Sequence, residues 1–178
     1  MTSLAEELGY RHSPPNGAQR AVRRFASSRT GARLFARLAP PVDRALARLA
    51  GGRTVAEIVA GLPTVLVTTT GARSGEPRTT PLAAIPDGDA LALVGTNFGG
   101  HRTPAWYFNL CAHPHAEVRY RDRTVHVRAR EATADEHAAV MARAKSVYAG
   151  YAAYEERITD RPIRVMILER DDRPHPPA

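Results

Sequence analysis

From residue 64 onward, apolar and polar side chains alternate in short runs that end at turn-forming residues, a pattern that predicts strands. The predicted strands lie near residues 64–70, 78–85, 89–96, 115–121, 124–131 and 163–169. Asp87-Gly88 joins the second strand to the third as a tight hairpin, and Asp122-Arg123 joins the fourth to the fifth. The last strand alternates poorly, so we expect both of its faces to be buried. Together these features predict an α+β fold, a small β-barrel of about six mainly antiparallel strands with helices around it.

Helical spacing of apolar residues replaces this alternation in the first third of the chain. Segments 18–26 and 34–49 each place apolar side chains on one face, and Pro40-Pro41 interrupts the second segment. Residues 1–17 end in a cluster of Pro, Asn and Gly, and we expect them to be irregular. The predicted parts of the chain are a basic amphipathic helical segment over residues 1–53, the β-barrel domain over 54–170 and a disordered tail over 171–178.

Two further helices are predicted among the strands. Thr103 is suited to be an N-cap and Pro104 the first residue of a helix, which continues over residues 105–111. Thr133 opens the other helix, which continues to about Val147.

Positive charge is concentrated at the N-terminal end of the chain. The formal net charge is +7, and residues 1–53 contain ten arginines against three acidic residues, so the whole excess lies there. The basic amphipathic helices of residues 18–50 could lie on an anionic membrane or pack their apolar faces on the domain core. A pI of about 10.3 also raises nucleic-acid binding. Because the strands lack interleaved aromatic and basic residues, we expect no nucleic-acid partner.

Cysteine and histidine usage limits the chemistry further. The single cysteine, Cys111, excludes an internal disulfide and fits a reducing compartment, and a packed thiol is its more common role. The histidines are too scattered to predict a metal site. The first residues lack a signal-peptide pattern and no apolar run is long enough to span a bilayer. We therefore expect a cytoplasmic protein, which membrane-binding helices would place at the inner membrane face.

A glycine-rich turn between the first two strands is the first candidate for chemistry. Gly71 and Gly75 can adopt positive φ and allow a ligand to approach the backbone. Arg73 and Arg78 flank the turn with two guanidinium groups, and Ser74 adds a hydroxyl. The turn could bind an anion through these groups and its backbone N–H groups, or it could be an ordinary hairpin with solvated arginines.

Two other clusters are candidates. The Gly99-Gly100 loop leads into the helix that contains Trp106, whose N-terminal N–H groups would attract an anion, although Thr103-Pro104 also forms an ordinary helix start. Further on, three tyrosines follow one another at intervals of three residues, which places them on one side of a helix. They either pack with their hydroxyls in water or form the wall of a ligand pocket. These tyrosines are Tyr148, Tyr151 and Tyr154.

The order of these motifs resembles the deazaflavin-dependent nitroreductase family, whose members use the deazaflavin coenzyme F-420. The shared elements are Thr-Thr-Thr-Gly-x-x-Ser-Gly-x-x-Arg-x-x-Pro-Leu from Thr68, Gly-Gly-x-x-x-Pro-x-Trp-Tyr-x-Asn-Leu from Gly99, and Tyr-x-x-Tyr-x-x-Tyr from Tyr148. The resemblance covers roughly residues 62 to 169 and implies a split β-barrel. It also implies an enzyme that transfers a hydride from reduced F-420 to a hydrophobic, electron-poor acceptor such as a quinone or a nitroaromatic.

The resemblance assigns expected roles to individual residues. The turn arginines and serine would hold the coenzyme's phosphate and acidic tail, and the segment from Asn97 to the start of the Trp106 helix would line the deazaflavin. The tyrosine hydroxyls would donate hydrogen bonds to the reduced acceptor, since an ordinary phenol stays protonated at neutral pH. The full set of expected coenzyme-binding residues is Arg73, Ser74, Gly75, Arg78, Thr80, Pro81, Thr96, Asn97, Gly99, Arg102, Ala105, Trp106 and Asn109.

The chain departs from the family pattern at two positions. Ala72 stands where a second basic residue is common, and Ala83 stands where an aromatic residue often follows Pro-Leu. The smaller side chain at Ala83 would widen the acceptor pocket. Two alternatives stay open at this point, a split-barrel oxidoreductase that binds FMN and a non-catalytic carrier or sensor of F-420, lipid or haem.

Overall fold

The computed structural model describes residues 2–28, 30–32, 34 and 61–172. The described residues form seven strands: β1 (Val65–Thr70), β2 (Pro77–Leu82), β3 (Ala84–Asp87), β4 (Ala90–Val94), β5 (His115–Tyr120), β6 (Arg123–Glu131) and β7 (Val165–Arg170). The helices with fully described bounds are α1 (Leu4–Leu8), α2 (Gly17–Ser27), α3 (Ala105–Ala112), α4 (Ala134–Val147) and α5 (Gly150–Arg157), and a 3₁₀ turn covers Asn97–Gly99.

All seven strands belong to one antiparallel sheet in the order β2-β1-β5-β6-β7-β4-β3. The edge strands β2 and β3 are separated by Ala83 alone. Because neighbouring Cα atoms lie about 3.8 Å apart, the sheet has to curl until its two edges meet at this residue. The result is a half-barrel surrounded by helices, which confirms the predicted fold class.

The strand predicted over residues 78–85 is wrong in one respect, because it is two strands. Residues 77–82 pair with β1, whereas residues 84–87 pair with β4 at the opposite edge of the sheet. Residues 81–86 form one uninterrupted apolar run across the corner at Ala83, so the sequence pattern contains no break to mark it.

The sheet separates two apolar cores. Inside the curl, Leu91 and Leu93 of β4 pack with α1, α3 and the inner faces of β1, β5 and β6. On the other side, Ala92 and Val94 of the same strand pack with α4, α5 and β7. Successive side chains of a strand point to opposite faces, so β4 and β7 contribute to both cores. The prediction that the last strand is buried on both faces is confirmed.

The first residues of the chain are helical, so the expectation of an irregular segment is wrong for this part. Ser3 and Glu6 form a capping box at the start of α1, and Leu4 and Leu8 are buried on one face. The hydroxyl of Tyr10 donates to the carbonyls of Pro63 and Ala84 at 2.9 and 3.0 Å. These contacts join the N-terminal end to the corner where the sheet closes.

Helix α2 confirms the first amphipathic segment but buries none of its residues. Its contacts are polar, since Arg23 donates to the carbonyls of Gly61 and Val147 at 2.9 and 3.1 Å. Apart from Leu34, the second segment, 34–49, lies outside the described residues, as do residues 173–178 of the predicted tail. The first tail residue, Asp171, is buried, and its N–H donates to His126 at 3.0 Å.

Candidate functional site

The glycine-rich turn closes on itself through its own backbone. The N–H of Gly71 donates to Glu76 and that of Gly75 donates to Gly71, both at 2.8 Å. Gly75 has φ +70°, and a Cβ at Gly71 would lie 2.6 Å from Ser74 Oγ. The predicted positive φ is confirmed at Gly75, whereas Gly71 does not have a positive φ and is instead crowded by the Ser74 hydroxyl.

The backbone of the turn offers less to a ligand than predicted. Besides the two bonded glycines, Ala72 donates its N–H to Asn109 Oδ1 at 3.0 Å, and Glu76 donates to Ser74 Oγ at 3.3 Å. These four donors are used within the protein. What the turn presents to solvent is the exposed side chains of Arg73, Ser74 and Arg78, and the Ser74 Oγ lies 3.5 Å from Arg78 Nη2. Two guanidinium groups beside a hydroxyl match a phosphate or carboxylate ligand.

Asn109 of α3 connects the turn to the body of the protein. Its side chain is buried, donates from Nδ2 to Thr69 Oγ1 at 3.0 Å and accepts from the N–H of Ala72. Both ends of the amide are occupied by protein partners. Asn109 therefore acts on the predicted anion site by positioning the turn.

Helix α3 begins one residue later than predicted, at Ala105 with Pro104 as N-cap, and no side chain caps it. Of its predicted coenzyme residues, Ala105 is exposed at the helix start and Trp106 is buried in the core inside the curl. Thr80 and Pro81 are half-buried on β2, opposite Val67 and Leu66 of β1.

The segment between β4 and α3 has an unusual backbone. Asn97, Phe98 and Gly99 have φ angles of 47°, 55° and 77°, so three consecutive residues lie in the left-handed region and two of them have side chains. We call residues 96–100 the left-handed loop. Thr96 is buried and Asn97 donates to the carbonyl of Arg102, whose side chain is exposed.

Arg161, which no sequence pattern marks as functional, holds this loop. The guanidinium of Arg161 donates to the carbonyls of Gly95 at 3.1 Å, Thr96 at 3.1 Å and Gly100 at 2.9 Å. Gly100 also accepts from Arg161 Nε at 3.2 Å. No local motif marks this arginine, because its partners lie more than 60 residues earlier in the chain.

The three tyrosines converge, although they do not share one helix as predicted. Tyr148 is the C-cap of α4, whereas Tyr151 and Tyr154 belong to α5. Their ring centroids lie 6.0 to 6.3 Å apart in edge-to-face contacts. All three side chains are at most 7% exposed, and the Tyr148 hydroxyl donates to the carbonyl of Arg23 at 3.4 Å. The bend between α4 and α5 brings together rings that a continuous helix would present as a stripe.

Burial favours the protonated form of two of these tyrosines, Tyr151 and Tyr154. Removal from water raises the pKa of Tyr151 and Tyr154 well above the ordinary value of 10.0, since the phenolate is the form that loses solvation. These two hydroxyls therefore keep their protons and can act as donors in their protonated form. Arg157 lies over the Tyr154 ring at 5.7 Å and also donates to the carbonyl of Ser27, so it links the cluster to α2.

The left-handed loop and the tyrosine cluster touch. A Cβ at Gly99 would lie 3.2 Å from Tyr154 Cδ1 and 3.5 Å from Arg157 Cδ. Only glycine fits here without displacing the ring, in addition to its positive φ. The loop predicted to line the coenzyme is thus in direct contact with the residues predicted to face the acceptor.

The curled antiparallel half-barrel with its surrounding helices is a split β-barrel fold, and the family match places the chain among the oxidoreductases that have it. The model of the F420H(2)-dependent quinone reductase family matches residues 42–170, and the chain belongs to this family. Membership confirms the predicted resemblance to deazaflavin-dependent enzymes, the enzyme class and coenzyme F-420 as the cofactor.

Individual relatives agree with this assignment. An F420H(2)-dependent quinone reductase of Mycobacterium tuberculosis is 35% identical, with 71% of this chain and 86% of the relative aligned. A solved F420-H2 dependent reductase is 38% identical and covers 60% of this chain and 94% of its own, with a TM-score of 0.55. Another solved chain, described as a domain-swapped dimer, is 34% identical, with coverage of 72% and 96% and a TM-score of 0.57.

Proposed function

We propose that this protein transfers a hydride from reduced coenzyme F-420 to a hydrophobic quinone held against the tyrosine cluster. The observation that carries the proposal is the contact between Gly99 and Tyr154, which joins the coenzyme-lining loop to the acceptor-facing helix. Hydride transfer needs donor and acceptor in contact, and adjacent binding surfaces supply that proximity. Family membership supports both the coenzyme and the quinone class.

The anionic arm of the coenzyme is gripped at the glycine-rich turn. Arg73 is exposed and has no hydrogen-bond partner among the described residues. Arg78 is also exposed, and Ser74 Oγ already accepts from Glu76, which leaves its proton for an anion. The side chains of these residues are the charged donors of the turn, and charge-assisted hydrogen bonds supply the affinity.

When bound, F-420 supplies the hydride, and the protein's own residues orient the acceptor and stabilise the charge that reaches it. A quinone oxygen that accepts a hydride equivalent becomes a strong hydrogen-bond acceptor. The hydroxyls of Tyr151 and Tyr154 remain protonated at neutral pH and donate to it. The small side chain of Ala83 would leave more space in the acceptor pocket than the aromatic residue that is common at this position in the family, and a nitroaromatic is a second acceptor of suitable chemistry.

The N-terminal region suggests that the acceptor is taken from an anionic membrane surface. Phe25 is 48% exposed on α2, which also carries the exposed arginines Arg20 and Arg24, and Phe98 of the left-handed loop is 43% exposed. Exposed aromatic and cationic side chains together favour an anionic lipid surface. Among the described residues, no helix has the length and apolar character needed to cross a bilayer.

Liposome sedimentation tests the membrane proposal. We expect the protein to sediment with anionic vesicles, to sediment less at high salt and to bind less after Phe25→Ser. Equal sedimentation with neutral vesicles would contradict it.

The enzymatic proposal is tested by anaerobic oxidation of reduced F-420 in the presence of menadione, followed by absorbance. Turnover that depends on both the protein and the quinone is the expected result. Parallel titrations with F-420 and FMN address the alternative cofactor. Tight FMN binding without F-420 binding would overturn the proposal, and F-420 binding without turnover would indicate a carrier.

A further inference from the structure

The left-handed loop needs an external support. Asn97 and Phe98 occupy a region of backbone space that residues with side chains rarely adopt, and they do so in succession. Such a conformation persists only where the surrounding structure holds it. Its internal hydrogen bonds, from Gly99 to Thr96 and from Gly100 to Asn97 at 2.9 Å each, close a single turn.

Arg161 supplies that support from outside the loop. Its guanidinium reaches carbonyls on both sides of the left-handed residues, at Gly95 and Thr96 before them and at Gly100 after them. A planar guanidinium presents several donors in fixed directions, whereas a lysine ammonium is a compact point charge. The half-buried side chain thus fixes the separation of the two ends of the loop.

The neighbouring residues strengthen the same attachment. Asp160 Oδ2 lies 2.8 Å from His101 Nδ1, immediately beyond the loop. Tyr154 also packs against Gly99. Because Arg161 follows the end of α5 by only four residues, Tyr154 and Arg161 belong to one continuous segment that contacts the loop at several of its residues.

We propose that Arg161 is a positioning residue for coenzyme binding, which preorganises the left-handed loop against the tyrosine cluster. The inference rests on the proposed function, since it assigns the loop to the coenzyme. Arg161 donates to backbone carbonyls and therefore acts through the loop. Its loss frees the loop to leave the left-handed conformation, so the coenzyme would have to order the loop when it binds.

The test compares Arg161→Ala and Arg161→Lys with Arg164→Ala as the matched control. Arg164 is an exposed arginine three residues further on, which lies over the Tyr107 ring at 5.7 Å and contacts no carbonyl of the loop. Hydrogen–deuterium exchange of the free protein reports on the amides of Gly99 and Gly100. We expect faster exchange there in both Arg161 variants and an unchanged rate in the control.

Coenzyme titration by fluorescence tests the consequence for binding. We expect Arg161→Ala to weaken F-420 binding about 10-fold, because a displaced loop loses preorganised contacts. Arg161→Lys should bind F-420 almost as weakly, since a positive charge alone does not replace the planar set of guanidinium donors. Millimolar guanidinium chloride should restore part of the affinity of the alanine variant, with no gain for the wild type.

The outcomes separate the inference from the function on which it rests. Wild-type affinity and wild-type exchange in Arg161→Ala would overturn the inference alone. Full rescue by lysine would also overturn it, because the planar donor set would then be unnecessary. Failure of the wild type itself to bind F-420 would overturn the proposed function and the coenzyme role of Arg161, whatever the exchange rates show. The lysine variant keeps the test valid if the alanine variant fails to fold.

Discussion

The glycine-rich turn and the left-handed loop both contain a glycine with positive φ, but they are held in different ways. The turn is closed by hydrogen bonds between residues 71 and 76, and its arginines point to solvent. The loop is held by Arg161 and by Tyr154, which lie more than 50 residues further along the chain. A backbone conformation that neighbouring residues stabilise can be predicted from the local sequence. A conformation that depends on residues distant in sequence cannot.

The same comparison predicts that mutations in the two regions change different measured properties of the protein. The exposed side chains of the turn, Arg73 and Arg78, should govern affinity for the coenzyme and contribute little to stability, because they are exposed to solvent. The buried loop and tyrosine cluster should affect turnover and stability together.

The largest effect is expected at the turn. Arg73→Ala and Arg78→Ala should each weaken F-420 binding roughly 10- to 100-fold, since a charge-assisted hydrogen bond contributes about 1.5–3 kcal/mol. The loss should shrink at high salt, because both side chains are exposed. Fluorescence titration measures the affinity, and the melting temperature should not change. Arg119→Ala, on the exposed outer face of β5, is the matched control. Unchanged affinity in both turn variants would remove the turn from the coenzyme site.

The tyrosine cluster should give a smaller effect of a different kind. A Tyr→Phe change at 148, 151 or 154 keeps the packed ring and removes the hydroxyl. A preorganised donor can contribute 10²–10³ in rate at a shielded site, and we expect about 10-fold at one position here. Steady-state oxidation of F-420 with menadione measures the rate, while F-420 affinity should hardly change.

Wild-type turnover in all three phenylalanine variants would show that the cluster only packs. Lost affinity in step with lost turnover would place the hydroxyls on the coenzyme.

Two glycine substitutions compare the regions directly. Gly75 and Gly99 have φ angles of +70° and +77°, but a Cβ at Gly75 meets open space and one at Gly99 meets Tyr154. Both alanine variants incur the left-handed penalty of roughly 1–2 kcal/mol. Gly99→Ala should lose about 1 kcal/mol more in urea unfolding, since it crowds a buried ring. Equal losses of unfolding free energy in the two variants would mean that the Tyr154 ring moves aside without destabilising the protein.

Particular residues show how far the sequence predicts this molecule. Strand alternation located the sheet, and the spacing of glycine and arginine located the turn, because both signals are local. The sequence pattern does not show that the chain changes its pairing strand at Ala83, where β2 pairs with β1 and β3 pairs with β4. The role of Arg161 could not be predicted, because nothing in the local sequence distinguishes it from the other basic residues, of which the chain has 25 in all. Helix α1 was detectable, because Ser3 and Glu6 have the spacing of a capping box.

The smallest effect is expected from His12, which lies near the corner of the sheet. Its Nε2 lies 2.9 Å from the carbonyl of Ala84, its ring meets Tyr10 edge-to-face, and its Nδ1 is buried without a hydrogen-bond partner. Burial lowers the pKa of His12 below its usual value of 6.5, against the opposing effect of the hydrogen bond to Ala84, and the positive charge of Arg23 adds to the lowering. The folded protein therefore favours neutral His12.

The sign of the pH dependence follows from this shift. Below pH 6.5 the unfolded chain binds a proton that the folded protein resists, so the stabilisation from neutral His12 is fully present above pH 6.5. It is lost as the pH falls from there towards the lowered pKa. His12→Gln keeps a donor for the Ala84 carbonyl and cannot titrate, so its unfolding free energy should fall less than that of the wild type between pH 7.5 and pH 5.5. His113→Gln, at an exposed position, should keep the wild-type slope. If the unfolding free energies of His12→Gln and the wild type fall equally between pH 7.5 and pH 5.5, protonation of His12 does not contribute to the pH dependence of stability.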